Sequence, residues 1–277
     1  MTSLLYNPET AALIERVTEH LPHALLLDGV QGVGLATIAR TIAWRDLANF
    51  VQPTNKDGTV DTSNKGIIRI PQIRELIDQT RSKFTSRQVI IVDDADKMNT
   101  QAQNAFLKLL EEPAPNIHFI LTSHSSHRLL PTVLSRVQRI TVRPIAAELS
   151  RRQITKLGIT DARKIQQLMF LASGRPAELS RLHASETLLN QRAALMADAR
   201  ELIQGKPYAR AIVASRYATD RANTLQLLEL AESIIHFSLT NTPSNVLVQT
   251  ADRLATTYER IAANGNVRLQ LMNFVIQ

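Results

Sequence analysis

VIIVDDADKMNTQAQNAFLKLLEEP, residues 89–113, decides how the rest of the chain is read. Val89, Ile90, Ile91 and Val92 are apolar and β-branched, with no polar alternation among them. A run this short and this uniform reads as a strand buried on both faces, as in a parallel sheet. Asp93 and Asp94 follow it, at the carboxyl end, where open α/β sheets hold their ligands. The next residues have helical spacing: Ala102, Ala105, Phe106, Leu109 and Leu110 share one face, and Pro113 stops them. Thr100 with Gln103 fits a capping box at the start of that helix.

Working toward the N-terminus, residues 7–20 read as a helix capped by Asn7 or Thr10, with Leu13, Ile14 and Val17 on one face. Residues 24–27 read as a strand. Gly29, Gly32 and Gly34 then form a loop, and a helical pattern runs over 35–48. Strand, glycine loop and helix in that order are the context of a phosphate-binding loop, G-x-x-x-x-G-K-[ST]. Gly29 and Gly34 have its spacing, but Leu35 stands at the lysine position and Ala36 at the hydroxyl position. Neither can reach phosphates or ligate Mg²⁺. Thr37 comes one residue late, about 100° around the helix. The residues therefore favour a glycine turn without a ligand over a working ATP loop, although Asp93 resembles the Walker B aspartate that holds Mg²⁺.

Residues 50–65 are rich in turn formers and read as an exposed connection, 66–70 as a strand, and 72–83 as a helix opened by Pro71. A strand over 116–123, a short helix over 129–136 and a strand over 138–142 complete an alternation that predicts an α/β domain, a parallel sheet sandwiched by helices. After residue 145 only helices are expected: three short ones over 148–157, 161–173 and 176–183, then longer ones with breaks near 205–207, 242–243 and 264–265. Three domains follow from this, 1–145, 146–186 and 187–277.

The chain has 277 residues, 44% of them hydrophobic and 21% charged, and no cysteine. That composition suits a soluble globular protein and excludes disulfides, thiol catalysis and cysteine-bound metals. His118, His124 and His127 lack ligand spacing for a metal. The apolar runs are short and the first ten residues carry no leader pattern, so a cytoplasmic, non-membrane protein is expected. A net charge of +7 fits either a phosphate-rich partner or a solvated basic surface.

Taken in order, the degenerate glycine loop, IPQIREL, VIIVDDADKM, NAFLKLLEEP, FILTS, LLPTVLSR and ASGRPAEL resemble bacterial DNA polymerase III clamp-loader subunits of the AAA+ class, most of all the delta-prime type. NGNVRLQLMNFVI extends the likeness weakly toward the C-terminus. The resemblance implies an AAA+ core, a small helical lid and a C-terminal helical collar. It also implies a heteropentameric ring with catalytic subunits and a delta-type wrench subunit, which places a sliding clamp on primed DNA. Delta-prime subunits typically have a dead ATP site and lend an arginine to the next subunit. Ser135 and Arg136 match the Ser-Arg of the family's Ser-Arg-Cys motif, with Val137 in the third place. Taken without the family, Arg136 reads equally as a helix cap or the partner of a surface acid. Gly29, Gly32, Gly34, Asp93 and Asp94 would then be vestigial, Asp94 being a methylene shorter than the glutamate of active members. Thr122 and Ser123 fall near the sensor position. The lid arginine of active members is Ala177 here, with Arg175 out of register. The family's zinc module has no cysteines in residues 50–65. The resemblance thus implies no bound ATP, no zinc and no intrinsic ATPase. It makes Lys97 and Lys108 candidate contacts for DNA phosphates, although solvated lysines at helix ends read equally well. An active ATPase of the same class and a basic nucleic-acid-binding module on an AAA+ scaffold are the alternatives.

Overall fold

The apolar run at 89–92 belongs to β3 (Gln88–Val92), an interior strand of a five-stranded parallel sheet. The computed structural model describes residues 5–61, 66–81, 84–241 and 244–276. The sheet order is β2 (Leu47–Val51), β3, β4 (Ile117–Ser123), β1 (Ala24–Asp28) and β5 (Gln138–Thr141). β1 pairs in register with β4 from Ala24↔Phe119 to Asp28↔Ser123, and β3 with β4 from Gln88↔Ile117 to Val92↔Leu121. Each strand therefore delivers its last residues to the same edge of the sheet.

Alternation along the strands divides the core in two. Leu25, Leu27, Val89, Ile91, Ile120 and Ile140 face α1 (Pro8–Glu19) and α2 (Leu35–Ala43). Leu26, Ile90, Val92, Phe119 and Leu121 face α3 (Ile70–Thr80), α4 (Thr100–Glu111) and α5 (Pro131–Leu134). Phe106 of α4 meets Phe119 edge-to-face at 5.3 Å. The sandwich expected from the sequence is present, with apolar residues on both faces of β1, β3 and β4.

Four local expectations are corrected. The helix over 35–48 stops at Ala43; Trp44 takes φ 35° and the chain turns into β2. β2 lies at the sheet edge and is half exposed, so it lacks the apolar signal of a buried strand. Residues 66–70 are not a strand: Ile67 and Ile68 make isolated bridges only, and Ile70 begins α3. The connection before them is not merely exposed. Thr54 bridges to Val60 and Ile67, and the Asp61 side chain is 1% exposed. Its residues 62–65, like residues 82–83 at the end of the expected helix over 72–83, lie outside the described residues. Finally, α4 is capped by Asn99, whose Oδ1 accepts from Ala102 N at 2.8 Å. Gln103 points inward instead of completing a box, as described below. At α1, Asn7 is the cap and accepts from Glu9 N at 3.1 Å.

Two compact units are resolved, Met1–Arg181 and Leu182–Gln277. The first also holds α6 (Ala147–Lys156), α7 (Ala162–Ala172) and the start of α8 (Pro176–Ala184). The second contains α9 (Glu186–Gln204), α10 (Pro207–Tyr217), α11 (Arg221–Asn241), α12 (Asn245–Ala262) and α13 (Val267–Ile276). Its core is aliphatic, including Leu202, Leu227, Leu228, Leu254, Ile261 and Leu271, with Phe274 the one large buried aromatic among the described residues of this unit. Asp198 ties α9 to α10 by accepting from Tyr217 Oη at 2.8 Å and Arg216 Nη1 at 2.6 Å. Burial and that carboxylate push the Tyr217 phenol up to about 12. Among the described residues no helix is long and apolar enough to cross a membrane.

Candidate functional site: a closed glycine loop and an arginine on a braced segment

The strand ends bring the glycine loop, Asp93, Asp94 and the 122–124 segment together. In the loop, Gly32 has φ 89° and Gly34 φ 100°, values that side-chain-bearing residues rarely adopt. Gly34 opens α2 without a side-chain cap. Leu35 then turns into the core with Ile38, Ala39 and Ile42 and is 2% exposed. An apolar residue there packs against the sheet, whereas the lysine of a working loop must face the phosphates.

The loop is also held from outside. The Gly32 carbonyl accepts from both Ala177 N and Glu178 N at 3.0 Å. These are first-turn amides of α8, the orphan donors that make a helix N-terminus an anion site when they are free. Here a backbone carbonyl uses them. The approach is close: a Cβ on Gly32 would lie 2.8 Å from Glu178 Cβ. Glu178 is itself 5% exposed and ion-pairs with Arg181. Arg175 folds back to donate to the Ala172 carbonyl at 2.9 Å and the Leu171 carbonyl at 2.8 Å, capping α7. Ala177 and Arg175 thus serve the packing of α7 and α8 against the loop.

Both aspartates are engaged. The Thr122 hydroxyl donates to Asp93 Oδ1 at 2.6 Å and accepts from Asp94 N at 2.9 Å. Thr122 and Ser123 are fully buried, so the sensor-like position is a brace between two strand ends. Asp94 sits at φ 50°, and its Oδ2 is 2.8 Å from Lys97 Nζ. Lys97 Nζ also lies 4.0 Å from Asp61. The Lys97 side chain is thus 16% exposed and turned to Asp94, which corrects the reading of it as a solvated lysine. Lys108, on α4, is exposed.

Two residues of this cluster went unassigned in the sequence. His124 Nδ1 donates to the Gly29 carbonyl at 2.8 Å, which fixes the tautomer because a carbonyl only accepts. Its Nε2 stands 3.5 Å from Asp94 Oδ1, which places the ring between the glycine loop and the aspartates. Arg139, on β5, ion-pairs with Asp28 at the end of β1 and donates to Ser126 Oγ at 3.0 Å. Nothing in a linear pattern flags either residue, since each acquires its partner only when the strands are side by side. His118 instead bonds the Pro22 carbonyl through Nδ1 at 3.0 Å. Among the described residues no group of three His, Cys, Asp or Glu side chains could hold a metal.

Burial is the main cause that raises the Asp93 carboxyl above the usual aspartate range; the Thr122 hydrogen bond opposes it and the Asp94 charge adds to it. A carboxyl whose folded value is raised contributes stability at low pH and loses it as pH rises from the ordinary value through the raised one. At pH 7 the ionised form is a cost to the fold. Asp93→Asn keeps an acceptor for Thr122 and removes the charge, so it is expected to raise the melting temperature at pH 7. The gain should vanish near pH 3.5. Thermal melts of both proteins across that range check it.

Arg136 follows α5, on a segment braced from below by Gln103. That glutamine is 3% exposed; its Nε2 donates to the Met98 and Arg128 carbonyls at 3.1 Å, and its Oε1 accepts from Leu130 N at 2.7 Å. Ser135 Oγ donates to the Thr132 carbonyl at 3.1 Å. Arg136 Nη1 donates to the same carbonyl at 2.9 Å and lies 3.3 Å from Ser135 Oγ. Its Nη2 is 2.9 Å from Glu111 Oε1, and the side chain is 36% exposed. Within this chain Arg136 therefore both caps α5 and meets a surface acid.

The model of the family described as DNA polymerase III, delta subunit, matches residues 10–146. Those residues belong to the DNA polymerase III clamp-loader family. They include every strand of the sheet, the glycine loop, both aspartates and Arg136. The DNA polymerase III subunit delta' of Pseudomonas aeruginosa is 35% identical over 141 residues, 50% of this chain and 42% of that protein. Replication factor C subunit 3 of Saccharomyces cerevisiae is 31% identical over 150 residues, 52% of this chain and 42% of that protein. The matches thus span less than half the length of these relatives. In fold, a DNA polymerase III gamma subunit-related protein of Thermotoga maritima aligns over 96% of this chain and 97% of its own, with a TM-score of 0.55 at 19% identity. A RuvB mutant of the same organism aligns over 87% of this chain and 85% of its own, with a TM-score of 0.50 at 13% identity. The fold class expected from the sequence, an AAA+ α/β core followed by helices, stands.

Proposed function

We propose that this chain is a non-hydrolysing, stator-like clamp-loader subunit of the delta-prime type. It assembles with catalytic subunits and a delta-type subunit in a heteropentameric ring, and lends Arg136 to a neighbour's ATP. The observation that carries the reading is the closed loop: Leu35 lies in the core where a lysine would face phosphates, and α8 donates two amides to Gly32. Helix amides already used by a backbone carbonyl are not offered to a phosphate, which suits a fixed element of a ring. The Lys97 ammonium on Asp94 adds to this, since a carboxylate already neutralised from within is a poor base for positioning an attacking water. Neither ATP nor zinc is a resident of this chain in the reading, and its setting is the cytoplasm.

In this assignment residues 1–145 are the core, 146–186 the lid and 187–277 the collar through which the ring assembles. The clamp and primed DNA are the ring's substrates. Lys108 remains the exposed cation for DNA phosphates, a contact that would weaken with salt and ignore sequence.

The test is reconstitution with the catalytic subunits, delta-type subunit, clamp and primed DNA of the same source. Sedimentation is expected to show one ring containing this chain, and clamp loading is expected to require it. Loading that proceeds equally well without the chain would contradict the proposal.

A further inference from the structure

Glu111 is the last residue of α4, and Glu112 follows it. The carbonyl end of a helix is electronegative, so a carboxylate there is unfavourable unless a cation covers it. Glu111 finds that cation in Arg136, with Oε1 2.9 Å from Nη2. A phosphate oxygen arriving at the same guanidinium needs the same donors and meets a like charge beside it. Carboxylate and phosphate therefore compete. The pair is 36% and 49% exposed, and ion pairs in water-facing positions are weak enough to exchange. The Thr132 carbonyl holds the other terminal nitrogen independently of Glu111.

We propose that Glu111 is a latch on Arg136. It draws the guanidinium against the end of α4 while no phosphate is near, and the phosphate of a neighbour's ATP displaces it. The inference rests on the trans-arginine reading above and adds a regulator to it. The latch keeps the arginine parked in the free chain and sets how readily it engages in the ring. Glu111 acts through Arg136 and touches no reacting atom, so it is a positioning residue.

The test is single-turnover ATP hydrolysis by the reconstituted ring at subsaturating ATP, following the phase that disappears in Arg136→Ala. Glu111→Gln keeps the side-chain shape and removes the charge. It is expected to raise the apparent second-order rate constant of that phase by roughly 1.4- to 5-fold, the range an exposed ion pair supplies. Glu112→Gln, at the exposed neighbouring carboxylate, is expected to leave it unchanged. Glu111→Gln is also expected to have no effect in the Arg136→Ala background. A slower or unchanged phase in Glu111→Gln overturns the latch while leaving the trans arginine standing. Faster residual hydrolysis on adding Glu111→Gln to the Arg136→Ala background overturns it too, because the effect would then bypass the arginine. If Arg136→Ala removes no phase at all, the trans-arginine reading fails and the latch falls with it.

Discussion

Arg136→Ala is expected to slow ATP hydrolysis at the one neighbouring site it serves by roughly 10³-fold or more, the scale of an arginine supplied in trans to a transferring phosphoryl group. The ring itself should still assemble. Arg136 is partly exposed and outside both apolar cores, and the turn it follows keeps its own bonds, Ser135 N to the Pro131 carbonyl and Arg136 N to the Val133 carbonyl. Lysine should rescue poorly, because an ammonium is a point charge and cannot fork onto two phosphate oxygens. Rapid-quench single turnover distinguishes the outcomes. In the mutant, one site's share of bound ATP should remain uncleaved over the time in which the wild type completes its turnover.

Gln103→Leu should have the second largest effect, on the fold and on the arginine together. The substitution fills nearly the same volume but abandons the Leu130 amide and the Met98 and Arg128 carbonyls, all bonded by this buried side chain. A buried polar group left without a partner costs about 1–3 kcal/mol. The Met98 bond is buried and the other two are part-buried, so the first unit should lose about 1–3 kcal/mol. Urea unfolding followed by a probe in that unit measures the loss. The same bonds link α4 to the 128–130 segment that leads into α5, so the folded mutant should also show slower trans hydrolysis in the ring. A mutant as stable as the wild type would mean that water replaces the glutamine and that the segment needs no brace.

Where the sequence could be read and where it could not has a physical pattern. β1, β3 and β4 were legible because they are buried on both faces and leave an uninterrupted apolar run. β2 was not, because an edge strand with Leu47 and Ala48 exposed continues the spacing of the helix before it. The cap of α4 was misassigned since Asn99, Thr100 and Gln103 all have capping chemistry; Gln103 is drawn away in part by a carbonyl 25 residues distant in sequence. The same holds for the site. The loss of the loop lysine is visible in one residue, Leu35. Its closure by α8, the His124 link and the inward turn of Lys97 depend on contacts between distant segments. Lys97 shows the risk most plainly, because a lysine near a helix end looks exposed until an aspartate three residues before it claims the charge.

The claim at the centre of this account is that nucleotide chemistry happens on a neighbour and not in this chain. Isothermal titration of the isolated chain with Mg-ATP tests it most directly, with Asp93→Asn as the partner protein. The account predicts no saturable heat and no turnover for either protein up to millimolar ATP. Saturable binding that Asp93→Asn abolishes, accompanied by phosphate release, would contradict it and make this chain an ATPase in its own right.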